Sequence, residues 1–277
     1  MLLYLLTEIL QIILLSSMKR LNNVTYKPVG RCIYCGATTD LRKEHILPFG
    51  LNGTAVLPEA TCGRCAQITG RVEQTVLRGP MWAVRVFRDL KSRRKHKDAP
   101  KTYPLTVLRG DHEEIVELPI EKYPILLHFP LFSPPALLEP EGYVSGIRVT
   151  GVATVSFGPR PEDVIKTLGV TTIRTSQKQE PVAFARMLAK IAYAMAAAED
   201  QLRLIKGDAP VLPAILGKTD DIGRWVGTLT QPFQRYSGLL HRVLIHRDDK
   251  RGLLIGEVQL FSDSQTPSYV VILGRLR

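Results

Sequence analysis

The sequence predicts an α+β fold in two parts. A small cysteine-stapled module comes first, and a larger region follows that combines antiparallel strands with one long alanine-rich helix. Three observations point there. All four cysteines fall in two Cys-x-x-Cys pairs, Cys32/Cys35 and Cys62/Cys65. Between residues 181 and 206, Phe184, Met187, Leu188, Ile191, Met195 and Leu202 fall on one helical face. Segments 239–247, 253–261 and 268–276 are apolar runs joined by the turn sequences DDKRG and SDSQTP, the pattern of an antiparallel meander.

Composition narrows the class. The chain has 277 residues, 45% of them apolar, which is enough to build a core and excludes a disordered polymer. Its 21 glycines and 19 prolines follow no period, which excludes collagen-like repeats. Four cysteines are too few for a disulfide scaffold. No uninterrupted apolar run reaches about 20 residues, which argues against an ordinary membrane span. A soluble, cytoplasmic protein is the expectation.

Along the chain, residues 1–18 form an apolar segment broken by Glu8 and Gln11. As a helix, residues 2–15 span about 21 Å, short of the ~30 Å hydrocarbon core. Three readings stay open for them: an upstream mis-assigned start, an amphipathic packing or partner helix, and a membrane anchor. Residues 28–80 form the cysteine module. Residues 81–101 read as a helix running into a basic linker. The rest, 102–277, is α+β. In it, 144–157 and 170–175 are β-branched strand candidates, and Pro161 and Gly169 bracket a short helix, proline inside the start and glycine past the end. Gly207 is the expected stop of the long helix, whose alanines favour close packing. His241 and His246 lie five apart on a strand, hence on opposite faces, and do not form a metal pair.

The net charge of +11 is concentrated. Residues 19–101 hold 17 basic and 6 acidic side chains, whereas residues 102–277 hold 20 and 19. Arg78, Arg85, Arg88, Lys91, Arg93, Arg94, Lys95 and Lys97 form the densest stretch. A positive field of this kind attracts a polyanion, so a nucleic acid, DNA in the first instance, is the expected partner and this stretch its phosphate clamp. The plain alternative is a solvated linker.

Each Cys-x-x-Cys forms a tight knuckle that presents two thiolates to one ion, and two knuckles complete a tetrahedron, the pattern of structural Zn²⁺. Such an ion explains how about 50 residues fold around little core. Between the knuckles, the sequence LRKEHILPFGLNG (residues 41–53) begins as a strand that Pro48 breaks into a loop. His45 can take a proton from water near neutral pH. The neighbouring Glu44, on the other face of the strand, can hold a hard divalent cation. Water, base and cation are the parts of a phosphodiester hydrolase.

The strings C-I-Y-C-G, E-H-I-L-P and C-G-R-C, with Gly70 and Glu73 after them, resemble the zinc-containing HNH endonuclease family, in the branch with CxxCG, EHIxP and CxxC leading into a helix. The resemblance covers residues 32–75. It implies a ββα-metal fold, a hairpin and helix around one catalytic cation. It implies His45 as general base, Glu44 as a ligand of Mg²⁺ or a similar ion, and Cys32, Cys35, Cys62 and Cys65 as the structural Zn²⁺ ligands.

Two departures stand out. The family places Asn or His just after the last cysteine, where Ala66 stands here, and its middle asparagine falls near Leu57 and Pro58. Asn52 is the nearest asparagine. Positions 66, 69, 70 and 73 share one helical face, which makes Glu73 the candidate substitute ligand. Two functions result: a metal-dependent HNH endonuclease, or a zinc-ribbon module that binds nucleic acid and has lost catalysis. Residues 102–277 show no chemical motif.

Overall fold

In the computed structural model, residues 21–92, 101–139, 145–175, 178–230 and 232–277 are described. The apolar N-terminal segment and Arg93, Arg94, Lys95 and Lys97 lie outside them. The fold is α+β. β1 (Leu41–His45) and β2 (Val56–Cys62) pair as an antiparallel hairpin, and α1 (Gly63–Arg78) follows directly. A short α2 (Trp82–Phe87) leads to β3 (Tyr103–Arg109), β4 (His112–Leu118), β5 (Ile125–Phe132) and β6 (Val149–Phe157). Then come α3 (Pro161–Leu168), β7 (Thr172–Arg174), α4 (Pro181–Ala198) and α5 (Leu212–Ile215). β8 (Val226–Thr228), β9 (His241–Asp248), β10 (Leu253–Leu260) and β11 (Ser268–Arg275) close the chain.

The strands form four antiparallel sheets: β1-β2, β4-β3-β7, β5-β6 and β8-β11-β10-β9. The last contains the expected meander, since β9, β10 and β11 are neighbours in chain order. Its alternation is plain. Val243, Leu254, Val258, Leu260, Tyr269, Val271 and Leu273 join the principal core, while Leu253, Ile255, Val270 and Ile272 form a separate cluster with Leu137, Leu138, Trp225 and Leu229.

α4 is the core helix. Twelve of its residues are buried. Its alanines admit the sheet closely: a Cβ added to Gly256 of β10 would lie 2.5 Å from the Ala192 Cβ. The helix ends at Ala198 rather than at Gly207. The chain turns at Asp200 (φ 56°), and the Gln201 N–H returns to the Ala196 carbonyl at 2.8 Å. The short helix before β7 matches its brackets, with Pro161 in the first turn and Gly169 at φ 62° closing the last. The helix expected at the head of the basic linker is short, only Trp82–Phe87.

One apolar core runs from the hairpin to the last sheet. Leu47, Leu51, Leu57, Val76, Leu77 and Val84 belong to the same buried cluster as Phe184, Leu188, Ile191 and Phe261. His241 clasps these two regions. Its Nδ1 accepts the Phe261 N–H at 3.1 Å, so its Nε2–H donates to the Leu51 carbonyl at 2.9 Å. The ring is therefore neutral. Burial, partly opposed by its bond to Leu51 and by Asp263, with Arg88 acting the other way, lowers its pKa from 6.5 to about 4.

A base whose folded pKa is depressed takes up its proton first in the unfolded chain. Its contribution to stability is thus lost as pH falls from about 6.5 to about 4, by about 3 kcal/mol in full. Urea unfolding of the wild type between pH 7 and pH 4 shows this decline, and His241→Gln, which has no titrating ring, flattens that part of the profile. A wild-type profile that Gln reproduces sinks the assignment.

Candidate metal centre and the buried charge cluster

The first knuckle is shaped by backbone bonds. The Cys32 N–H donates to the Ala37 carbonyl at 2.7 Å, and the Gly36 N–H returns to the Cys32 carbonyl at 2.8 Å. Gly36 sits at φ 76°, a left-handed conformation that explains the glycine after the second cysteine. The Ile33 N–H bonds the Ala60 carbonyl of β2 at 2.8 Å, which fastens the knuckle to the hairpin. The second knuckle is the β2–α1 junction. Cys62 ends the strand and caps the helix, and Cys65 occupies its first turn.

These elements bring all four Sγ atoms within 4.8 Å of one another. No disulfide forms. A tetrahedral Zn²⁺ with Zn–S bonds of about 2.3 Å separates its sulfurs by about 3.8 Å. The Cys35 and Cys62 sulfurs are 3.6 Å apart. The donor set thus fits a metal ion such as zinc. Its place at a helix N-terminus favours thiolates. The Cys65 backbone N–H donates to the Cys62 thiol and holds its pKa near 7, whereas burial pushes Cys65 up.

The Glu-His pair divides as a strand requires. Glu44 pairs with Leu57 across the hairpin and His45 with Val56, so their side chains take opposite faces. The His45 ring is half-buried, edge-on to Phe49 with centroids 5.8 Å apart. Glu44 points inward and is 5% exposed. Between Arg42 and Glu44 the register shifts, which leaves Pro58 and Glu59 in an irregular stretch of β2 where the family's asparagine would fall.

Glu73 meets Glu44. The helical face predicted for it is turned inward, with Thr69 buried in its middle. Both carboxylates close on one atom, the ammonium nitrogen of Lys190 on α4. Glu44 Oε1 lies 2.5 Å from Lys190 Nζ and Glu73 Oε1 lies 2.9 Å away. Lys190 Nζ also donates to the His45 backbone carbonyl. An ammonium has three protons, and here each has an acceptor. Lys190 is 2% exposed. Burial by itself would lower its pKa, but the two carboxylates overcome this and raise it above the ordinary 10.5. Burial raises Glu44, and the Lys190 charge opposes that rise. Tyr34 packs on Tyr193 at 5.9 Å, and Tyr193 Oη donates to the Ile33 carbonyl at 2.9 Å, tying the first knuckle to α4.

As a seat for Mg²⁺ the carboxylate pair does not fit. That ion keeps several waters in an octahedral shell. Glu44 is buried, and a cation already lies against it. Asn52 does not face the cluster either: its Oδ1 accepts the Lys91 backbone N–H at 2.8 Å.

The predicted basic clamp divides, and part of it is corrected. Arg85 is buried, donating to the carbonyls of Gly50 at 2.7 Å, Leu77 at 2.9 Å and Lys91 at 3.4 Å. Arg88 holds both Asp263 oxygens, at 3.0 and 2.7 Å, and lies over the Phe157 ring. The Arg85 guanidinium is thus turned inward, away from any phosphate, whereas Arg88 stays partly exposed with its charge paired to Asp263. Arg78 and Lys91 are exposed. A different basic surface appears on α1, where Arg64, Arg71 and Arg78 stand at seven-residue intervals on the exposed face. None of the three forms an ion pair among the described residues.

Lys190 is the residue that sequence reasoning missed. The available signal was a lone charge inside the apolar run LAKIAYAM. No protein-family model matches the chain, and no curated protein and no solved structure matches it.

Proposed function

We propose that this chain is a nucleic-acid-binding protein whose N-terminal module is stapled by a structural Zn²⁺ on Cys32, Cys35, Cys62 and Cys65. In this reading it keeps the HNH-like hairpin and helix without divalent-cation chemistry. The observation that carries it is the row Arg64, Arg71 and Arg78. Over 14 residues the row is about 21 Å long, and it tracks a phosphate backbone without reading bases. Lys91, beside the same module, adds to the field.

Anisotropy titration of a labelled DNA duplex at increasing salt tests this. Each phosphate contact contributes about −0.9 to the slope of log affinity against log salt, so Arg64→Gln/Arg71→Gln/Arg78→Gln reduces the slope magnitude by about 2.7. An unchanged slope places the contact elsewhere.

A second reading, the HNH endonuclease, is favoured by His45, whose ring stays partly exposed at the end of the hairpin against Phe49. There His45 would take the proton from the attacking water. Incubating the protein with plasmid DNA and Mg²⁺ or Mn²⁺ separates the two. The binding reading expects no cleavage that His45→Ala abolishes; the endonuclease reading expects cleavage that this variant loses.

A further inference from the structure

The resemblance implies a divalent cation between hairpin and helix, and the structure has something else there. We infer that the Lys190 ammonium is the resident cation of this module. It fills the seat between Glu44 and Glu73 and does the bridging that a metal ion would do.

Three observations converge on it. Glu44 comes from the hairpin and Glu73 from the third turn of α1, so any positive charge bound by both joins the two elements. Lys190 supplies that charge from a third element at 2.5 and 2.9 Å. Its remaining proton goes to the carbonyl of His45, the residue next to Glu44. The ammonium therefore uses every donor it has on this module. The helical position that the family gives to a ligand is Ala66, which has no donor atom, and a lysine charge needs none there. A metal in that seat would want further ligands and water, whereas an ammonium is satisfied by the three oxygens present.

One consequence is chemical. Lys190 is covalently part of the chain, so the seat is filled at any ionic composition. Another is geometric: Glu44, Glu73 and Lys190 lie on the side of α1 opposite Arg64, Arg71 and Arg78, so the cation seat and the proposed backbone contact are independent.

The test uses the full-length, metal-loaded protein in chelator-free buffer, with Mn²⁺ as probe read by electron paramagnetic resonance. Wild type is expected to bind no Mn²⁺ that Glu44→Gln removes. Lys190→Met takes away the charge at nearly constant volume, and it is expected to bind one Mn²⁺ per chain, lost again in Lys190→Met/Glu44→Gln. A folded Lys190→Met that binds none overturns the inference. So does wild-type protein that binds Mn²⁺ through Glu44, an arm that decides the matter even where Lys190→Met fails to fold. No nucleic acid enters this experiment, so its failure is distinct from failure of the binding reading.

Discussion

Cys65→Ser is expected to lose the bound metal and most of the stability of the N-terminal half. A structural zinc contributes about 10–16 kcal/mol to small modules of this kind, as much as the whole 5–15 kcal/mol that keeps a typical domain folded. Here the ion would join the 31–37 knuckle to the β2–α1 junction, two segments otherwise linked by few bonds, the Ile33 N–H to Ala60 among them. The damage does not stop at the knuckles. Cys32, Cys62 and Cys65 are members of the same buried cluster as Leu188 and Ile191 of α4, so the module and the C-terminal sheet loosen together. Metal analysis with thermal unfolding followed by circular dichroism checks this. A Cys65→Ser protein with full metal content and a wild-type melting temperature refutes the zinc assignment.

Lys190→Met is expected to destabilise the protein by about 3–5 kcal/mol at neutral pH, the usual effect of removing one partner from a buried ion pair. Two carboxylates then face each other, Glu44 fully buried and Glu73 partly so. The deficit depends on pH in a definite direction. Burial already raises the Glu44 pKa above 4.5, and loss of the opposing ammonium raises it further. A carboxyl with a raised folded pKa is most stable in the fold when protonated, so the deficit is smallest below about pH 4.5 and grows as pH rises through the raised value. Chemical denaturation of wild type and variant at pH 4 and pH 7.5 measures it. A deficit independent of pH would mean that lost packing, rather than unpaired charge, is responsible.

The parts of this fold legible in sequence are those where a local pattern decides the outcome. The last three strands alternate and are separated by turn residues, and the observed His241–Asp248, Leu253–Leu260 and Ser268–Arg275 follow. The helix between Pro161 and Gly169 carried its own start and stop. By contrast, β3 to β5 have Pro104 and Pro130 within them and Pro119 and Pro124 between them, which hides their strand character. The end of α4 was misplaced because Leu202 continues the apolar spacing, whereas the backbone leaves the helix at a left-handed Asp200.

At the site, the cysteine spacing was decisive, and the helical face shared by Ala66, Thr69, Gly70 and Glu73 is the one that meets Lys190 rather than an ion. Counting charges along a chain does not reveal a long side chain bending its head into carbonyls, as Arg85 does, or onto a carboxylate, as Arg88 does onto Asp263. Lys190 was invisible for a related reason. Its partners are more than a hundred positions away, and only the packing of α4 across α1 brings them into reach.

That separation bears on how the chain is made. On a ribosome adding 5–20 residues per second, Lys190 is polymerised roughly 6–23 s after Glu73. During that interval the growing polypeptide has both acids and no ammonium to neutralise them, so the cysteine-bearing segment, even with its metal, waits in an incomplete state. Final locking is deferred to the arrival of the alanine-rich helix, which makes late synthesis the timer for early structure.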